Sequence, residues 1–192
     1  SGLLMFQGYA ENLLQTLRRR ALEPAELNLE DSSSLGVVEK LLESDRLSDV
    51  RLALDMLAGA KHPSLPKHLT VLTTSEKPDI QVEALVRIEA RREMEALSQV
   101  QTLATAGESA VVRGAALRAL CALDPEDIRQ EIVPYLDDAN PAIKEGAAVG
   151  ILRYGGENGR RMMSDRLVSW SISSEPAVRL YLAQILGDAG MP

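Results

Sequence analysis

The chain has little of several residue types on which common kinds of site depend. It has one cysteine and two histidines in 192 residues, so it cannot form an internal disulfide or supply a closed Cys/His metal site. Aromatic residues make up 3% and the formal charge is -7, which argues against the basic, aromatic-lined surfaces that bind nucleic acids. No run of about 18 apolar residues is present, which predicts that this sequence has no membrane span. The scarcity of cysteine suits a reducing, cytoplasmic compartment.

The few residues that could carry chemistry are placed unfavourably for it. Cys121 lies among alanines and leucines, which predicts a buried small hydrophobic residue. His62 and His68 lie six residues apart around Pro63 and Pro66, in a turn and at the start of a first helix, which is typical of solvated histidines. Both are far along the chain from Cys121. We therefore predict no catalytic, metal-binding or cofactor-binding residues, and a protein that is not an enzyme.

What the chain does contain is an internal repeat. Five segments align at steps of 31, 32, 31 and 35 residues, with apolar residues four positions apart in each: Ala53/Leu57, Ala84/Ile88, Ala116/Leu120, Ala147/Ile151 and Leu182/Leu186. A second apolar register lies upstream in every segment, at Leu41, Leu72, Leu103, Leu136 and Trp170. Each unit is thus predicted to be two short helices, which can bury their apolar faces only by stacking on neighbouring units.

The spacing also predicts where these helices lie. The first helices are expected at roughly 34–43, 66–74, 94–106, 126–136 and 160–172, and the second helices at roughly 49–59, 79–91, 110–122, 142–153 and 176–187. Pro78, Pro141 and Pro176 stand where second helices start, a position that tolerates a missing amide hydrogen.

Two connections have unusual sequences. Three glycines within Tyr154–Gly159 predict a helix C-cap followed by an enlarged turn. The segment Glu89–Glu95 contains neither glycine nor proline, which predicts that the two helices it joins are almost continuous.

The N-terminal residues 3–22 have near-helical apolar spacing and predict one long amphipathic helix. Arg18, Arg19 and Arg20 would complement the negative end of its dipole, with contact to an anionic membrane surface as the alternative function. Because the chain begins Ser-Gly, we expect a tag remnant or a segment of a longer protein.

The second-helix sequence Val111–Leu120 (VVRGAALRAL), echoed by Ala177-Val178-Arg179, resembles the HEAT-like repeat of the phycobilin-lyase type. The resemblance implies an all-α, α–α superhelix (HEAT-like solenoid) of about five helix pairs plus the N-terminal helix. It implies one domain over residues 1–192, with repeats at approximately 34–61, 64–91, 94–123, 126–154 and 158–188. It also implies a structural arginine that ties neighbouring repeats through acidic groups. That slot holds Gln81, Arg113, Lys144 and Arg179 here, so a continuous arginine ladder is not expected.

A second resemblance concerns the segment Tyr9–Arg20 followed by short repeats. It is similar to the soluble part of bacterial proteins that join an ADP/ATP-carrier-like transporter to HEAT repeats. This resemblance implies a connector or regulatory domain at the cytoplasmic face of a membrane, within a longer chain.

The function predicted from the repeat is a protein-interaction scaffold or regulatory module. Its binding surface would be the concave face, formed by polar side chains of the second helices, which we call the second-helix face: Glu83, Arg87, Arg113, Arg118, Lys144, Glu145, Arg179 and Gln184. A protein or peptide partner is expected there, with an acidic segment favoured by the basic members Arg87, Arg113, Arg118, Lys144 and Arg179. The membrane-associated connector is the alternative, and a lyase-type or chaperone-like helper is a third hypothesis.

Overall fold

Every regular element in the described part of the chain is a helix. The computed structural model describes residues 32–123 and 129–190, and the predicted N-terminal helix 3–22 with its three arginines lies outside them. The α-helices are α1 (Ser32–Leu42), α2 (Leu47–Gly59), α3 (Leu65–Leu72), α4 (Pro78–Arg91), α5 (Leu97–Ala106), α6 (Ala110–Leu123), α7 (Arg129–Ile132), α8 (Pro141–Tyr154), α9 (Gly156–Ser171) and α10 (Pro176–Ala189). Two 3₁₀ turns, Met94–Ala96 and Val133–Asp137, adjoin α5 and α7. The all-α prediction is confirmed for these ranges.

Three second helices begin at a proline, as predicted. Pro78, Pro141 and Pro176 are the first residues of α4, α8 and α10, and the residue before each is extended. Proline disfavours helical geometry in the residue that precedes it, so it fixes the start of the helix. At α8 the side chain of Asn140 also accepts a hydrogen bond from the Ala142 amide at 3.0 Å.

The connection between α8 and α9, in the glycine-rich segment, is much shorter than predicted. Gly155 caps α8 and α9 begins at the next residue, so the prediction of an enlarged turn was wrong, although the C-cap is confirmed. A Cβ at Gly155 would lie 2.8 Å from the Cα of Gly159, and Gly156 has φ +58°. These glycines therefore allow a one-residue reversal that a side chain would block.

The segment Glu89–Glu95 is broken where near-continuity was predicted. Arg92 follows α4 in the left-handed conformation, with φ 53°, and Glu93 is extended before the 3₁₀ turn. A non-glycine residue pays a steric cost in this conformation.

By its internal contacts the chain divides into two compact units, residues 1–68 and 69–192. In the first unit α1 packs against α2. In the second unit α4 packs on α6, α6 on α8 and α8 on α10, while α5 packs on α6 and α9 packs on both α8 and α10. Within the second unit, this is the neighbour-to-neighbour order that stacked helix pairs require.

The aligned alanines are buried, and within the second unit their small side chains let the second helices pack closely. Ala53, Ala84, Ala116 and Ala147 are fully buried, whereas Leu182 in the last pair is half-buried. Between α6 and α8 the contact is tighter still, because a Cβ at Gly146 would lie 2.6 Å from the Cα of Gly114. Only glycines permit this backbone-to-backbone contact.

Among the described residues, no helix is both long and apolar enough to cross a membrane.

Candidate partner-binding face

Two of the five predicted basic residues are used inside their own helix pair. Arg113 donates from Nε to the carbonyl of Ala104 at 3.3 Å, and Arg179 donates from Nη1 to the carbonyl of Ser173 at 2.6 Å. Gln81, in the same repeat slot, donates to the carbonyl of Thr73 at 2.9 Å. These acceptors lie at the ends of the preceding first helices, where carbonyls lack intrahelical partners and the dipole is negative. At these positions the residue in the repeat slot caps the first helix of its own pair, and no acidic partner of it occurs in the part of the chain that the structure describes.

The next two basic residues, Arg87 and Lys144, lie on α4 and α8. Arg87 forms an ion pair with Glu83 one turn earlier on α4, with 2.8 Å between Nε and Oε1. Such pairs on one helix contribute about 0.3–0.5 kcal/mol. Lys144 is half-buried on α8, and no hydrogen bond or ion pair joins its ammonium group to the described residues. Their role in partner binding stays a prediction.

The fifth residue, Arg118, belongs to a cluster around a buried carboxylate. Glu89 on α4 is 3% exposed, and its Oε2 lies 2.6 Å from Nε of Arg118 on α6. Its Oε1 accepts hydrogen bonds from Nη1 of Arg153 at 2.9 Å and from the hydroxyl of Tyr154 at 2.8 Å, both on α8. A buried carboxylate requires such donors, since an unpaired buried charge is strongly unfavourable. One side chain thus joins three second helices.

The aromatic ring of this cluster carries a second set of contacts. The guanidinium carbons of Arg92 and Arg153 each lie 6.0 Å from the centre of the Tyr154 ring. Nη2 of Arg153 also donates to the carbonyl of Asp188, near the end of α10. Burial raises the pKa of Tyr154, and the hydrogen bond to Glu89 and its negative charge raise the pKa further. The Tyr154 hydroxyl therefore stays a proton donor to Glu89 at neutral pH.

A second polar group links α8 to α10. Gln184 donates to Glu145 at 3.3 Å, and the pKa of Glu145 is raised, first by burial and then by the charge of Asp188.

Tyr181 packs edge-on against Trp170, with 5.5 Å between ring centres. The buried Tyr181 hydroxyl has no hydrogen-bond partner among the described residues, and burial, with the charge of Glu145, raises its pKa to about 12.

The residues considered for chemistry occupy ordinary surroundings. Cys121 is buried, as predicted. Nδ1 of His62 lies 2.7 Å from the hydroxyl of Ser64 in the turn before α3, and burial lowers the pKa of His68. No group of three or more His, Cys, Asp or Glu side chains that could hold a metal occurs in residues 32–123 and 129–190.

Sequence reasoning missed Glu89, Arg92, Arg153 and Tyr154, although the repeat contains a signal for the first. In the aligned units the position of Glu89 is held by Ala58, Cys121, Leu152 and Gly187. A carboxylate in an otherwise uncharged column indicates a buried charge that needs donors from neighbouring helices. Arg153 and Tyr154 carry no comparable signal, since polar residues are common at helix ends.

No family model, curated protein or solved structure matches this chain.

Proposed function

We propose that this chain is a non-catalytic helical-repeat module, an α–α superhelix of stacked helix pairs, that binds a protein or peptide on its second-helix face. The observation that carries the proposal is the cluster around Glu89. Its four side chains come from α4, α6 and α8 and hold one another in place through three hydrogen bonds to a single carboxylate. A polar surface fixed in this way binds a partner with little loss of conformational freedom.

Lys144 and Arg87 support the same proposal. Lys144 has an ammonium group without a partner among the described residues, and the Arg87 ion pair lies within its own helix. The Lys144 ammonium group can exchange water for groups of a bound protein, and Arg87 adds a second positive charge to the second-helix face. Arg113 and Arg179 are less suited to this role, because each caps a first helix.

The test is a selection of random displayed peptides against the full chain, followed by affinity measurements on variants. The double variant Arg87→Gln/Lys144→Gln removes two positive charges from the second-helix face. Its matched control, Arg160→Gln/Arg161→Gln, removes two charges from exposed positions on α9, a first helix. Selected peptides should lose about ten-fold in affinity on the first variant and bind the control as they bind the parent chain.

Equal binding to all three chains, equal loss on both variants, or no selected peptide would contradict the proposal. Circular dichroism establishes that each variant is folded before its affinity is compared.

A further inference from the structure

We infer that Arg92, Arg118 and Arg153 form a subsite for a carboxylate from an acidic segment of a protein partner. We call these three residues the arginine cluster. The inference rests on the proposed function and names the chemistry that the second-helix face recognises.

The first argument is the local balance of charge. Three guanidinium groups gather around Glu89 and its partner Tyr154, in a chain whose formal charge is -7. Glu145 acts on Arg118 from a greater distance than Glu89 does, and no hydrogen bond joins the two side chains among the described residues. Among the groups in direct contact, three guanidinium groups gather around one carboxylate, and this local excess of positive charge attracts an anion.

The second argument is the availability of donors. Arg118 uses only Nε to bind Glu89, and its Nη groups have no hydrogen-bond partner in the described part of the chain. The Arg153 side chain is 39% exposed, and the exposed guanidinium of Arg92 contacts the Tyr154 ring without an ion-pair partner among the described residues. A planar guanidinium offers paired N–H groups whose spacing matches the two oxygens of a carboxylate.

The third argument is the backbone of Arg92. Its φ of 53° is left-handed, a conformation that glycine adopts without the cost that other residues pay. An arginine at this position costs stability and places a cation beside Tyr154. Strained backbone of this kind is common where a side chain is held for binding.

Replacing Arg92 with glycine therefore separates binding from stability, because the variant relieves strain while it removes a positive charge. Lys61 supplies the matched control, since it is exposed, follows α2 and has φ 50°. Lys61→Gly removes the same charge and the same kind of strain at a residue that is not part of the arginine cluster. Both variants should melt at or above the temperature of the parent chain.

The experiment measures binding of a fluorescein-labelled hexaglutamate peptide to the full chain by fluorescence anisotropy at low ionic strength. The parent chain and Lys61→Gly should bind alike, whereas Arg92→Gly should bind about ten-fold more weakly, as the loss of one charge-assisted hydrogen bond predicts. A hexalysine peptide should not bind to the parent chain more tightly than hexaglutamate does.

The inference is overturned if hexaglutamate fails to bind the parent chain, if Arg92→Gly binds it equally well, or if both glycine variants lose affinity equally. Each of these results leaves the proposed function to its own test. Peptides that contain no acidic residues and depend on Arg87 and Lys144 would still support that function. Conversely, a hexaglutamate complex lost on Arg92→Gly supports the subsite whatever the random selection yields.

Discussion

Replacing Glu89 with alanine should destabilise the protein by about 3 kcal/mol, at the low end of the range for breaking a buried charge pair. The carboxylate makes three hydrogen bonds, and each bond to a charged group contributes about 1.5–3 kcal/mol in isolation. The three contributions do not add, because all pass through one residue. The cost is limited further because Arg118 and Arg153, at 25% and 39% exposed, regain water when the carboxylate is removed.

Urea unfolding followed by far-ultraviolet circular dichroism measures this cost, and the corresponding fall in melting temperature is about 6–12 °C for a chain of this size. The control is Asp137→Ala, which removes an ion pair with Arg166 in which Asp137 is 69% exposed. That exposed pair should contribute less than about 1 kcal/mol, although it is bidentate. Equal costs for the two substitutions would refute the argument that burial makes the Glu89 cluster important.

Three further predictions concern the contacts between second helices. Gly146→Ala should lower the free energy of unfolding in urea by about 1–3 kcal/mol, because its Cβ would overlap the backbone of α6. Gly187→Ala, with open space around its Cβ, should instead stabilise α10 by about 0.5–1 kcal/mol. The folded-state pKa of Glu145 lies above its ordinary value, so the folded chain binds this proton more tightly than the unfolded chain does. Unfolding free energy should therefore fall as pH rises from the ordinary glutamate pKa through the raised one, and Glu145→Gln should flatten this slope in thermal unfolding. Tyr154→Phe should cost about 1.5 kcal/mol through the lost bond to the buried carboxylate, whereas Tyr181→Phe should be neutral or slightly stabilising.

Each of these predictions has a result that contradicts it. An unchanged free energy of unfolding in Gly146→Ala would mean that α6 and α8 can move apart at no cost in stability. An unchanged pH slope in Glu145→Gln would assign the slope to other groups, and equal losses at the two tyrosines would show that the Tyr181 hydroxyl has a partner.

The helices were predictable because each pair repeats the same apolar spacing, and the described second helices begin and end within about two residues of the predicted limits. The helix expected at roughly 126–136 changes to a 3₁₀ turn at Val133, and two other errors fall at connections where local rules allow opposite outcomes. Glycines permit a loop, and they also permit the one-residue reversal at Gly155 that only small residues can make. The break at Arg92 has no sequence signal, because the left-handed residue is not a glycine.

The candidate site was predictable only in part, and the reason bears on the proposed binding mode. Repeat spacing predicted basic residues at regular intervals on the second-helix face. Arg113 and Arg179 instead cap first helices, and this capping depends only on contacts within one helix pair. The Glu89 cluster depends on how α4, α6 and α8 are rotated about their axes, which the sequence does not specify. Under the proposed function, the arginine cluster therefore adds a local group of three positive charges to those of Arg87 and Lys144. A partner that uses this cluster needs its acidic residues grouped opposite the cluster, whereas Arg113 and Arg179, at the repeat spacing, each already commit one donor to a backbone carbonyl.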